Sequence, residues 1–158
     1  MKILSVSDTH GRNLNFEEVL EIEKPEFLCH MGDLEGSEDY IRMITRCPLA
    51  MVSGNNDFWT DLNQEVTFEL HGFRIFMTHG HYYYPHAGLD QLKSAGRRNK
   101  ADIVLFGHTH RPTLEIDEDI IVANPGSLSY PRQEKRRPSY MIMELEKGKL
   151  PKFETKFL

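Results

Sequence analysis

Five short apolar runs in this chain end in the same way. KILSVS (2–7) is followed by Asp8-Thr9-His10-Gly11, and FLCHM (27–31) by Gly32-Asp33. LAMVS (49–53) runs into Gly54-Asn55, FRIFMT (73–78) into His79-Gly80, and DIVLF (102–106) into Gly107-His108-Thr109-His110. Each run has the length and composition of a buried strand. Each ends in a carboxylate, amide or imidazole beside a glycine, which permits a sharp turn and close backbone approach. Few folds satisfy such a pattern, because the strands must all deliver polar side chains to one region.

The segments between the runs define the layers. Apolar residues at 16, 19, 20 and 22 of NFEEVLEIE (15–23) predict a helix, as does SEDYIRMIT (37–45). The resulting βαβαβ order argues for a layered α/β fold with a parallel core. EVTFEL and FRIFMT flank His71-Gly72, a two-residue hairpin connection. A helix is expected over HAGLDQLKSAGRRN (86–99), then strands at TLEI, IIVAN, SYMIMELE and KFETKF. We expect two mixed β-sheets face to face with helices outside, in one domain spanning residues 1–158.

In open α/β sheets, ligands gather outside the carboxyl ends of the strands. Asp8, His10, Asp33, Asn55, His79, His108 and His110 are therefore expected in one cleft. In DTH and HTH, residues two apart on an extended chain point the same way, so each pair is expected to face it together. A single Asp after a strand is ordinarily a turn or cap residue, and a single His ordinarily structural. Seven such side chains converging without a cation would be hard to satisfy. Two divalent metals sharing a carboxylate account for the number. Their charge outweighs two aspartates and a hydroxide, so the centre attracts phosphate and yields hydroxide near neutral pH. With N and O donors and no thiolate, the expected cofactors are two divalent transition-metal ions, Mn first, with Fe, Zn or Ni as alternatives.

Composition narrows the setting. Hydrophobic residues make up 39% and the net charge is −5, without a basic stripe. That disfavours double-stranded nucleic acid as a partner. The short cluster Arg132, Lys135, Arg136, Arg137 reads as a solvated loop. Cys29 and Cys47 match no zinc spacing and are expected to be reduced and buried. No apolar stretch approaches the ~20 residues of a membrane helix, and the N-terminus lacks a signal-peptide pattern, so a cytoplasmic protein is expected. Self-association is left open.

The five motifs, in this order from residue 3 to about 131, resemble the calcineurin-like metallophosphoesterase superfamily. The size and NPGS (124–127) are similar to its small bacterial and archaeal phosphodiesterase branch. The resemblance implies a four-layer αββα sandwich. It implies one metal on Asp8, His10, Asp33 and His110, and another on Asp33, Asn55, His79 and His108, with Asp33 bridging. A bridging hydroxide would then attack a small phosphodiester. It also places Asn124 and Ser127 near substrate. The departure is Asn56, where much of the superfamily carries His in GNHD or GNHE. An amide donates a hydrogen bond but cannot act as a general acid. Asp57 is expected either to orient Asn56 or to cap a helix. His81 is expected to reach substrate or to support a ligand; His30 and His86 are read as structural or surface residues. Tyr82, Tyr83 and Tyr84 are read as a partly buried loop or an interface, and Arg12 as either a phosphate contact or a solvated helix start. A phosphomonoesterase with the same centre is one alternative. The other is a scaffold akin to the retromer subunit that shares this fold; its metal site has decayed, whereas all seven positions here carry donors.

Overall fold

A computed structural model describes all 158 residues. The order is β1 (Lys2–Val6), α1 (Leu14–Glu23), β2 (Phe27–His30), α2 (Glu38–Ile44), β3 (Leu49–Met51), β4 (Glu65–Leu70) and β5 (Phe73–Thr78). Then come α3 (Asp90–Arg98), β6 (Ile103–Leu105), β7 (Pro112–Ile116), β8 (Ile121–Pro125), β9 (Ser139–Glu144) and β10 (Lys152–Phe157). One sheet has the order β10-β9-β1-β2-β3 and the other β4-β5-β6-β8-β7. β1, β2 and β3 are parallel, as are β5, β6 and β8; the pairings β1–β9, β9–β10, β4–β5 and β7–β8 are antiparallel. Both sheets are therefore mixed, as expected.

Strand alternation builds the layers. Ile3 of β1 joins Cys29, Ile75, Met77, Ile103 and Leu105 in a core drawn from both sheets. Leu4 and Val6, one residue out of phase, pack instead with Phe16 and Val19 of α1 and Ile41 of α2. On the far side Phe76, Val104 and Val122 meet Leu92 and Ala95 of α3. The four-layer order helix, sheet, sheet, helix follows. α3 lies tight on its sheet: a Cβ at Gly96 would sit 2.5 Å from both Ile120 and Val104 side-chain atoms. The β4–β5 connection is the predicted two-residue turn, with His71 at φ 49° and Gly72 at φ 86°, the left-handed pair that suits hairpin twist.

Four details differ from the sequence reading. α3 begins at Asp90 rather than 86, because Gly88 at φ 132° separates it from a short 3-10 turn at Pro85–Ala87. β3 stops at Met51, two residues early, where the chain bends into the glycine loop. Cys47 is only half-buried, at the rim of the α1–α2 layer. On α1, Ile22 is exposed while Glu23 is buried.

Glu23 explains the last exchange. Its carboxylate accepts from Tyr140 Oη at 2.8 Å and pairs with Lys2 at 2.6 Å and Lys156 at 3.0 Å. One side chain thus ties α1 to β1, β9 and β10. Burial alone would raise this carboxyl, but the hydrogen bonds from Lys2, Lys156 and Tyr140 outweigh it and hold it down to about 2. A depressed carboxyl contributes stability above its ordinary value and loses it as pH falls toward the folded value. The contribution is on the order of 3 kcal/mol, expressed above pH about 4.5 and lost toward pH 2. Glu23→Gln should flatten that part of the stability–pH curve, measured by urea unfolding between pH 2 and 6. A variant curve parallel to the wild type would refute the assignment.

Candidate metal centre

All seven expected donors meet at the carboxyl ends of β1, β2, β3, β5 and β6, three strands of one sheet and two of the other. The loops that present them are tied together by main-chain bonds: Asp8 N donates to Gly32 O and His10 N to Asp33 O. Gly107 N donates to His79 O.

Two overlapping groups result. Asp8, His10, Asp33 and His110 each offer a donor atom, and these atoms lie within 4.8 Å of one another. His110 Nε2 is 3.1 Å from Asp8 Oδ1, and His10 Nε2 is 3.7 Å from Asp33 Oδ2. On the other side His79 Nε2 lies 3.5 Å from Asp33 Oδ2, and Asn55 Oδ1 is 3.0 Å from both His79 Nε2 and His108 Nδ1. Asp33 stands between the groups. The imidazoles are oriented from behind. His79 Nδ1 is 2.6 Å from Met31 O and His110 Nδ1 is 2.7 Å from Tyr130 O, so each presents Nε2 to the cluster. His10 Nδ1 is 2.7 Å from Glu35 Oε1.

The residues present fit a divalent cation. Asp8 is fully buried, and its Oδ1 faces three imidazoles, with His110 Nε2 at 3.1 Å, His10 Nε2 at 3.9 Å and His79 Nε2 at 4.0 Å. A buried carboxylate oxygen is costly unless something positive faces it. Burial would raise the Asp8 carboxyl, but the hydrogen bond from His110 and the charge of His79 outweigh it and keep it low. Burial holds His108 down to about 4, so it is a neutral imidazole at ordinary pH, the ligating form. The glycines leave room: a Cβ at Gly54 would fall 2.1 Å from Asp33 Oδ1, and one at Gly107 would fall 3.0 Å from Asp8 Oδ2.

The extended-chain argument for DTH and HTH does not hold. Asp8 (φ 56°), His10 (47°), His108 (65°) and His110 (56°) are all left-handed, as is Asp33 (56°). The paired residues reach the cluster through turns, and His108 and His110 go to different groups.

Other expected site residues fall elsewhere. Asp57 neither orients Asn56 nor caps a helix. Its Oδ1 accepts from Leu34 N and Glu35 N, and its Oδ2 from Gly54 N, each at 2.7 Å, which clamps the Asp33 loop to the Asn55 loop. Asn124 and Ser127 are fully buried. Asn124 Nδ2 donates to Gly107 O at 2.7 Å, and Ser127 Oγ donates to Asp8 O at 2.8 Å, so both brace donor loops. Asn56 does sit at the site: its main-chain N donates to Asp33 Oδ1 at 2.9 Å and its Nδ2 to Oδ2 at 2.7 Å. His81 lies with its ring centroid 5.4 Å from that of His79, and its Nδ1 has no partner. His30 is structural, 3.1 Å from Thr9 Oγ1 and fully buried. His86 is exposed, 5.4 Å from His108 between ring centroids. Arg12 stacks over Tyr130 at 4.6 Å. Tyr82 and Tyr84 are exposed, and Tyr83 is half-buried and donates to Glu65 Oε1 at 2.5 Å. Sequence reasoning missed Glu35; its one signal is an acid two residues beyond Asp33.

The family model for the calcineurin-like phosphoesterase superfamily domain matches residues 1–148. The chain belongs to that superfamily. A probable metallophosphoesterase of Methanothermobacter thermautotrophicus is 32% identical, covering 95% of this chain and 89% of its own. A phosphodiesterase of Methanocaldococcus jannaschii is 30% identical, covering 80% and 83%. Among solved structures, a conserved predicted phosphoesterase of Streptococcus pneumoniae superposes with TM-score 0.81 at 27% identity, covering 98% and 97%. Vps29 of Entamoeba histolytica, solved with zinc, shares the fold at TM-score 0.79 and 23% identity, covering 99% of each chain. As a calcineurin-like phosphoesterase the chain carries a cluster of His and Asp suited to metal binding.

A carboxylate behind a ligating imidazole fixes the ring and raises its basicity, and its loss typically costs about 10–100-fold in metal affinity. Glu35→Gln should therefore weaken Mn binding at the His10 group by about that factor, read by calorimetric titration. Unchanged affinity would remove Glu35 from the site.

Proposed function

We propose that this chain is a phosphodiesterase that works with two divalent metal ions, held by Asp8, His10, Asp33 and His110 on one side and by Asp33, Asn55, His79 and His108 on the other. The observation that carries the reading is the set of seven N and O donors gathered around the buried carboxylates of Asp8 and Asp33. When bound, the cations supply an acidified water as nucleophile and positive charge toward the phosphoryl oxygens.

The chain's own residues set the rest. Asp33 is held at both carboxylate oxygens by Asn56, so its direction does not depend on a flexible partner. Main-chain bonds to Met31 O and Tyr130 O fix the tautomers of His79 and His110 before substrate arrives. Asn56 can donate a hydrogen bond to a phosphoryl oxygen, but it has no proton to give a leaving alkoxide.

Two outcomes are expected. With Mn present the protein should hydrolyse bis(4-nitrophenyl) phosphate faster than 4-nitrophenyl phosphate, and chelator should abolish both rates. Asp33→Asn should lower the diester rate by about 100-fold or more, because the residue stands in both groups; elemental analysis should show metal lost with it. Ordinary turnover with retained metal would contradict the reading.

The second outcome concerns position 56. General acid catalysis contributes about 10²–10⁴-fold, and basic leaving groups need it most. Rates across diesters of graded leaving-group pKa should fall steeply in the wild type. Asn56→His should help alkyl esters more than aryl esters. A flat wild-type dependence, with chemistry rate-limiting, would mean that another group supplies the proton.

A further inference from the structure

A cavity of about 740 Å³ opens beside the metal cluster, with His10, His110 and Asn56 on its inner wall. Its outer wall carries Arg111, Arg132 and Arg136. No carboxylate lies within 4 Å of any of these three guanidinium groups; Arg74 and Arg97 are the arginines paired with acids, and what sets these three apart from the other unpaired ones is that they line one cavity together. Glu35 is the sole acidic residue lining the cavity, and it is engaged by His10 at 2.7 Å.

The main chain that carries the arginines is held in place. Arg132 N donates to His110 O at 3.0 Å, and Arg111 Nε donates to Arg132 O at 3.2 Å. Their loop is therefore stitched to the strand end that carries His110. Arg136 closes a turn in left-handed backbone (φ 45°), its N donating to Gln133 O at 2.9 Å, and so returns to the cavity wall. Arg137, next in sequence, points elsewhere, to Leu158 O and Phe157 O. The basic cluster read from sequence as a solvated loop thus divides, with Arg132 and Arg136 facing the site.

We propose that this wall binds a second phosphate group of the substrate, so that the diester hydrolysed here carries a further phosphate beside the reacting one. The inference rests on the phosphodiesterase reading for the reacting group and on the arginines alone for the second. A simple diester bears one negative charge, which the metal cluster already meets. Three further unpaired cations on one wall call for a further dianion. Guanidinium forks match phosphate oxygens in geometry and charge, and a cavity of this size holds a ligand of nucleotide dimensions.

The test separates the two readings. Binding of adenosine 3′,5′-bisphosphate and adenosine 5′-monophosphate to the Mn-loaded protein is measured by calorimetry. The bisphosphate should bind about 10- to 100-fold more tightly, the worth of one or two charge-assisted hydrogen bonds. The Arg132→Ala/Arg136→Ala double variant should lose most of that preference, and the double Lys variant should keep part of it. Both residues are exposed, so neither change threatens the core. In parallel, thymidine 5′-(4-nitrophenyl phosphate) is compared with its 3′-phosphorylated form. The phosphorylated form should show the higher kcat/KM, through a lower KM, and this advantage should shrink in the double Ala variant. Equal binding of the two adenosine nucleotides, or a preference that survives the double Ala variant, would overturn the inference. If neither thymidine ester is hydrolysed while the binding preference is present, the phosphodiesterase reading fails and the second-phosphate site stands.

Discussion

Two buried carboxylates at one end of a double sheet are the constraint on which this molecule turns. Asp8 and Asp33 are almost wholly inaccessible, and Asp8 Oδ1 faces the imidazoles of His110, His10 and His79. Such an arrangement is unfavourable in isolation and is sustained only by rigid surroundings and imidazole neighbours. The Asp33 carboxylate is gripped by Asn56, and the loop behind it by Asp57, whose two oxygens take three main-chain N–H groups from both adjoining loops. Ser127 and Asn124 perform the same service for the Asp8 and Gly107 loops. The result is a braced pocket of carboxylate and imidazole donors suited to positive charge.

The loops store strain for that purpose. Five of the seven donor residues adopt positive φ without being glycine. Each costs on the order of 1–3 kcal/mol and persists only where surrounding structure over-determines it. The over-determination comes from three stacked apolar layers, which fix the strand ends, and from main-chain bonds between loops of neighbouring strands. Fold and site are therefore not separable: the sheets set the strand ends, and the strand ends force the donors together.

The arginine wall adds a second electrostatic element of a different kind. The chain as a whole is acidic, with a net charge of −5, yet the rim of the cavity beside the donor cluster is positive. A local excess of unpaired cations on an acidic protein is a directional feature, steering anions to one face. It is placed by the loop after β8, which Ser127 ties to Asp8 and Arg132 ties to His110.

Much of this was legible in the residues. The five glycine-flanked strand ends, the hairpin at His71-Gly72 and the helix stripes all follow from periodicity and turn chemistry, which act over a few residues. The convergence of Asp8, His10, Asp33, Asn55, His79, His108 and His110 followed from placing ligands at parallel strand ends. What the sequence could not decide were contacts between residues distant along the chain. Asp57 looked like a catalytic partner because it adjoins Asn56, but its hydrogen bonds run to residues 34, 35 and 54. Asn124 and Ser127 lie next to the site along the fold, but their side chains are buried against the main chain of the Gly107 and Asp8 loops. Glu23 is buried because three basic and phenolic groups from three strands reach it. The sequence by itself determined which strands end in donor chemistry, since local pattern sets strand, turn and residue type. Only the tertiary structure decided which of those donors share a group, which polar residues brace them and which arginines face the cavity, because these depend on packing that brings together residues up to a hundred or more positions apart.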